Sequence, residues 1–174
     1  LKPLTGKSLK EVAELRGKSP EETMIDLVIE DDSRVGAAYF LMSEDNIRRN
    51  IASPFTMFGS DEGAYVPEGV FLLSNAHPRA YGTFARLFAR YVRDDKVISV
   101  AEAVRRLTSL PAEEIRIKDR GRLKQGYFAD IVVFDPGKIQ DHATFDKPHQ
   151  LATGVRDVWV NGVQVLKNEV HTGA

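Results

Sequence analysis

No cysteine occurs in the 174 residues, which excludes disulfides and thiolate metal sites within this chain. That absence fits either an oxidising or a reducing compartment, and a cytoplasmic location is the working expectation. Neither sign of charge dominates. Lys and Arg number 24 against 25 Asp and Glu, a net charge of -1, so neither nucleic acid nor an acidic membrane surface is expected as a partner. No run approaches the roughly 20 apolar residues that a membrane helix requires. The opening Leu1-Lys2-Pro3-Leu4 lacks the apolar stretch of a secretory signal. The chain begins without methionine, and both ends read as cuts in something longer. What remains is a globular composition, 43% hydrophobic and 28% charged, with enough length for one domain or a small domain plus a piece of another.

The first part reads as alternating helix and strand. Ser8-Leu9-Lys10-Glu11 fits a capping box, in which serine and glutamate satisfy each other's helix-end donors. Ser19-Pro20-Glu21-Glu22 is a stronger start, with proline at the first helical position, and Met24, Leu27 and Val28 follow at helical spacing. Val35 to Met42 is nearly continuous in apolar residues, which predicts a strand buried on both faces of a parallel sheet. Ser43-Glu44-Asp45 opens a short helix through Asn50, and Phe55 to Phe58 is a second short apolar run. A long loop, about Glu62 to Tyr81, carries Pro67, Gly69 and Pro78. Such loops are uncommon in compact domains and often functional. Phe84, Leu87, Phe88 and Tyr91 then predict an amphipathic helix. Ser99 caps another with Val104 and Leu107 inward, and Pro111 to Glu114 adds a further helical turn or two.

Past Lys118 glycine and proline cut the chain into short pieces. Ile131 to Phe134 and Val155 to Val160 predict strands. Asn161-Gly162 before Val163-Gln164-Val165 predicts a two-residue hairpin, because both central residues of a type I′ turn need positive φ. The order implies two units, α/β first and antiparallel β last. The α/β part holds about two strand-helix units, too few to close a (β/α)8 barrel alone.

Two places carry the chemistry. Gly59-Ser60-Asp61 ends an apolar run and opens the long loop, where parallel α/β sheets hold their ligands. An aspartate there can take a proton from a metal-activated water and pass it to a leaving nitrogen. The plainer account is a turn or capping aspartate. His77-Pro78-Arg79 closes the loop. The planar fork of Arg79 suits a carboxylate, against the plainer account of a surface ion pair, and His77 joins it as a candidate substrate ligand against that of an ordinary loop histidine. His142, His149 and His171 make no metal-binding spacing with one another and read as structural or solvent-facing. Met42, Ser43 and Tyr81 sit where they could line a pocket, though packing accounts for each as well. Trp159 reads as a core residue.

Ser60-Asp61, the loop, and His77-Pro78-Arg79-Ala80-Tyr81-Gly82-Thr83-Phe84 resemble the C-terminal barrel segment of the N-acyl-D-amino-acid deacylases, or D-aminoacylases. The likeness continues through Leu107 to Ala112, Lys118 to Leu123, Ala129 to Asp135, Val158 to Gly162 and His171 to Ala174, and so covers essentially the whole chain. The stretch from Gly121 to Asp135 is common to many amidohydrolases, and the His-Pro-Arg block narrows the choice. The resemblance implies a metal-dependent (β/α)8 barrel with a small β-sandwich. Residues 1–117 would be the C-terminal part of the barrel and 118–174 a sandwich segment. It places Asp61 as the proton shuttle and a candidate metal ligand, and Arg79 on the substrate carboxylate. The implied reaction is hydrolysis of N-acyl-D-amino acids. The expected cofactor is zinc, which this chain alone is not expected to hold, because the family's other ligands have no counterpart here. The isolated chain is therefore expected to be inactive, with the remainder of the barrel as its partner. Two alternatives stand beside this: a cyclic-amide hydrolase of the dihydroorotase or hydantoinase kind, and a non-catalytic binding chain.

Overall fold

Serine caps open four of the helices where the sequence puts them. In the computed structural model, which describes residues 1–32, 35–74 and 76–174, the chain forms two compact units, Leu1–Leu41 and Met42–Ala174. The first begins with a 3₁₀ turn, Lys2–Leu4, followed by α1 (Leu9–Arg16) and α2 (Pro20–Glu30). Both helices carry full capping boxes, Ser8 with Glu11 and Ser19 with Glu22. Gly17 (φ +64) stops α1 in the left-handed conformation that suits glycine, and the two helices then pack together. Their shared interior is small: Val12, Ala13 and Thr23. Met24 and Val28, expected inward, are exposed, and Leu27 is half-buried. Two helices of this length cannot cover the whole apolar face of α2.

The two predicted parallel strands do not form. Val35 to Met42 and Phe55 to Phe58 adopt no strand, and Tyr39 stands 79% exposed with Leu41 and Met42 similarly open. The reason is pairing. A parallel strand needs hydrogen-bonded neighbours beside it, and the described residues form only one sheet, which is antiparallel.

The second unit opens with α3 (Glu44–Ala52), capped by Ser43 through the Asn46 N–H. The long loop follows, with a 3₁₀ turn at Gly69–Leu73, and ends at Pro78 where α4 (Arg79–Arg86) begins. Helix α4 runs on into a π-wound extension, Leu87–Asp94, with Asp95 N–H reaching the Arg90 carbonyl five residues back. Leu87, Phe88 and Tyr91 are buried there, whereas Phe84 is 48% exposed. Helices α5 (Val100–Leu107) and α6 (Ser109–Glu114) complete the helical part. On α5 the buried positions are Ala103 and Arg106, while Val104 is exposed and Leu107 packs only partly.

Strands β1 (Ile131–Phe134), β2 (Val155–Val160), β3 (Val163–Lys167) and β4 (Val170–His171) form one antiparallel sheet in that order. The Asn161-Gly162 turn has φ of +51 and +83 and joins paired Val160 and Val163, as a two-residue hairpin demands. Asp130 holds it by accepting from the Asn161 N–H at 2.8 Å. Within this unit the sheet and its helices share one core. Phe134 packs on Phe88 with ring centroids 4.8 Å apart, among Ile51, Tyr91, Val92, Ala103 and Ile139.

Candidate active site

The chain brings Asp61 and Arg79 together across the long loop. Asp61 follows Gly59-Ser60 with φ +52, a left-handed conformation that aspartate tolerates better than most residues. Its side chain is 92% exposed, and Oδ2 lies 3.4 Å from Nη2 of Arg79. Glu62, the next residue, accepts from Arg79 Nε at 3.3 Å and is far less exposed. The guanidinium is thus already turned toward two carboxylates, the kind of partner it would offer an anionic ligand.

Local structure fixes where Arg79 emerges. Pro78 occupies the helix-start position, where a missing N–H costs little. His77 folds back so that its Nδ1 accepts from the Arg79 backbone N–H at 3.0 Å. Thr83 donates to the Arg79 carbonyl at 2.9 Å. Farther along α4, Gly82 lies against Asp141: a Cβ there would sit 3.2 Å from the Asp141 Cβ, and Arg86 donates to the same carboxylate at 3.2 Å. The helix is therefore seated closely, and Arg79 leaves it at its first position.

Beside this pair lies a cavity of about 320 Å³, lined by Glu62, Tyr65, Phe71, Ser74, His77 and Tyr81 among others. Its lining mixes three aromatic side chains, Tyr65, Phe71 and Tyr81, with the Glu62 carboxylate and the His77 imidazole. The His77 ring meets Phe145 edge-on, centroids 5.0 Å apart at 85°. Burial, and then the nearby Arg79 cation, push the His77 imidazole below the ordinary histidine pKa, so its neutral form is favoured. Tyr81 approaches His149 with centroids 6.1 Å apart, and the Tyr81 hydroxyl and His149 Nε2 are both buried without a hydrogen-bond partner among the described residues.

Asp61, His77 and Arg79 come together. Met42 does not line the cavity, and Ser43 is spent on capping α3. Tyr81 does line it. Glu62, Tyr65 and Phe71 went unnoticed in the sequence; the adjacent acids Asp61-Glu62 were the one available signal for Glu62. Of the remaining histidines, His142 bonds Thr153 at 2.9 Å, His171 accepts from the Gly173 N–H, and His149 lies beside Tyr81. Among the described residues no three His, Asp or Glu side chains converge as a metal site needs. The donors present do not by themselves fit a resident metal.

The model of the amidohydrolase family matches residues 2–166. A D-aminoacylase from Alcaligenes xylosoxydans xylosoxydans is 39% identical over 170 residues, 98% of this chain and 33% of that protein. The chain thus spans about a third of the length of the curated relatives it matches. Among solved structures, a D-aminoacylase examined for the role of its binuclear metal centre covers 99% of this chain at 37% identity and TM-score 0.84, over 34% of its own length. The N-acyl-D-glutamate deacylase of Bordetella bronchiseptica, complexed with zinc and a phosphonate inhibitor, covers 92% of this chain and 31% of its own at 36% identity and TM-score 0.79.

Proposed function

Because the chain belongs to the amidohydrolase family, we propose that it is the part of an N-acyl-D-amino-acid deacylase that carries the proton shuttle and the carboxylate clamp. The observation behind this reading is the meeting of Asp61 and Arg79, 3.4 Å apart beside a cavity with a partly aromatic lining. The reaction adds water across the amide, releasing a carboxylate and a free D-amino acid. The carboxylate of Asp61 takes a proton as water attacks the acyl carbon and returns it to the leaving nitrogen as the C–N bond breaks. Arg79 receives the substrate's own carboxylate, which takes the place of Asp61 at the guanidinium and leaves Asp61 to the reacting atoms. His77 and the aromatic side chains of the lining bound the space for the rest of the molecule.

Zinc accompanies this chemistry in a solved relative. The donors among the described residues do not make such a site, so what this chain brings to the reaction is the carboxylate of Asp61 and the guanidinium of Arg79. On this reading residues 1–117 form a C-terminal piece of a (β/α)8 barrel, and residues 118–174, which contain all four strands, form a sandwich segment. The exposed apolar runs Val35 to Met42 and Phe55 to Phe58 are then surface that the remainder of the barrel would cover.

The test is steady-state kinetics of the complete enzyme on an N-acyl-D-amino acid and on its carboxamide analogue. Wild type should favour the carboxylate strongly. A hydrogen bond to a charged group is worth about 1.5–3 kcal/mol, so Arg79→Ala should raise KM for the carboxylate roughly tenfold or more and lose most of the preference. Arg79→Lys should recover only part, since it restores charge without the fork. A mutant that keeps the full preference would remove Arg79 from this role.

A further inference from the structure

The second inference rests on the assignment of Arg79 as the carboxylate clamp and concerns what holds that clamp. We propose that His77 is its positioning residue: the neutral imidazole anchors the first turn of α4 through the Arg79 backbone N–H, and charging the ring loosens the clamp. Three observations converge on this. The Arg79 N–H is one of the helix-start donors that the helix itself cannot satisfy, and Pro78, at the cap position, has no side-chain acceptor to offer. His77 Nδ1 supplies the acceptor at 3.0 Å. The ring is held for that task by its edge-on contact with Phe145, so the acceptor does not swing away.

The chemistry of the ring sets the rest. To accept from an N–H, Nδ1 must present its lone pair, which leaves the hydrogen of the neutral ring on Nε2. A second proton can enter only at Nδ1. It would then face the Arg79 N–H donor to donor, and the bond would be lost. The new charge would also stand near the Arg79 guanidinium. The charged groups acting on the ring are Arg79 from α4, which opposes protonation, and Glu62 from the loop, which favours it; the segment carrying Phe145 meets the ring through that phenyl side chain. Burial adds to the opposition, so the ring stays neutral until pH falls below the ordinary histidine value of about 6.5. Below that point α4 loses its anchor at the residue that carries the clamp. The consequence is selective. Binding of a substrate carboxylate weakens, while a substrate without that carboxylate is affected less.

The experiment compares wild type, His77→Leu, His77→Asn and Arg79→Ala in the complete enzyme, on the acyl amino acid and its carboxamide, from pH 5 to 8. Loss of one backbone anchor should raise KM for the carboxylate by about three- to tenfold in His77→Leu, and should raise the carboxamide KM, which feels only the altered cavity wall, by clearly less. His77→Asn places an uncharged acceptor where Nδ1 stood. It should restore the wild-type KM at pH 8 and abolish the rise in carboxylate KM that wild type shows toward pH 5. Imidazole nitrogen NMR of the 174-residue chain gives a readout independent of turnover: His77 should carry its hydrogen on Nε2 at neutral pH. If His77→Leu retains wild-type carboxylate KM, if His77→Asn fails to rescue it or keeps the acid rise, or if the hydrogen is found on Nδ1, His77 is not the positioner. The two readings fail separately. An Arg79→Ala enzyme that keeps its carboxylate preference sinks the clamp itself and this inference with it. If Arg79→Ala loses that preference while His77→Leu keeps it, only the role of His77 falls.

Discussion

Asp61 occupies a backbone position with φ +52, which asparagine tolerates as readily as aspartate. Asp61→Asn therefore keeps the shape of the turn and removes only the capacity to take a proton. It also dissolves the contact with Arg79, but that pair is largely exposed, at 92% for the Asp61 side chain and 41% for Arg79, and such pairs contribute about 0–1 kcal/mol. The expected result is a kcat lower by about 10²–10⁴-fold with little change in KM, measured by steady-state kinetics. A mutant retaining wild-type kcat would return Asp61 to a turn residue. Asp61 and Arg79 stand out as candidates in the sequence because each closes a local pattern, an apolar run before a loop and a Pro-Arg helix start. Glu62 does not. Its pairing with Arg79 exists only because the loop folds back across 17 residues.

Among the elements, α5 separates what local pattern can and cannot tell. Its start was readable, because Ser99 accepts from the Glu102 N–H as a cap must. Its inward face departs from the apolar expectation at Val104, while Leu107 packs partly against the core and a buried arginine takes the centre. Arg106 is 1% exposed and donates to the Ile51 carbonyl at 2.7 Å and to Glu102 at 2.7 Å. Ile51 lies in the last turn of α3, where helix carbonyls have no partner within their own helix. Arg106 thus ties α5 to the end of α3, and its cation stands over the ring of Phe58. Arg106→Met fills similar space without the donors and leaves a buried carbonyl unpaired, so it should destabilise the fold by about 1–3 kcal/mol in a denaturant titration. The pH dependence follows from Glu102. Bonds from Arg105 and then Arg106 hold its carboxyl down at about 2, against 4.5 ordinarily. A depressed carboxylate stabilises the fold fully above its unfolded value, and that contribution drains away as pH falls from about 4.5 through about 2. Unfolding midpoints should decline over that window in wild type and decline less in Arg106→Met. Equal acid slopes in the two proteins would show that the Arg106 bond does not hold Glu102 down.

At the scale of the whole molecule, the chain carries one aspartate at its candidate site and no convergence of His, Asp or Glu around it among the described residues. Four histidines are present, but His142 and His171 are committed to Thr153 and the Gly173 N–H, His77 to the Arg79 N–H, and His149 lies beside Tyr81. A structural or catalytic zinc site takes three or four protein ligands. The purified 174-residue chain should therefore show no stoichiometric zinc at micromolar free metal, by calorimetry or by elemental analysis after dialysis. Stoichiometric zinc that is lost in Asp61→Ala would overturn this and assign the metal to the chain itself.

What the sequence determined by itself is local. Caps, proline-led helix starts and the positive-φ Asn161-Gly162 turn depend on residues within a few positions of one another. The motif residues Asp61 and Arg79 belong to the same class. Tertiary structure decided everything that needs a distant partner. It left Val35 to Met42 and Phe55 to Phe58 outside the sheet, since a parallel strand exists only beside its neighbours. It also turned Arg106 inward on α5, because the carbonyl that receives it lies 55 residues away. In the same way it set Glu62 against Arg79 and Phe145 against His77, contacts made by loop closure and by no pattern within a window of the chain.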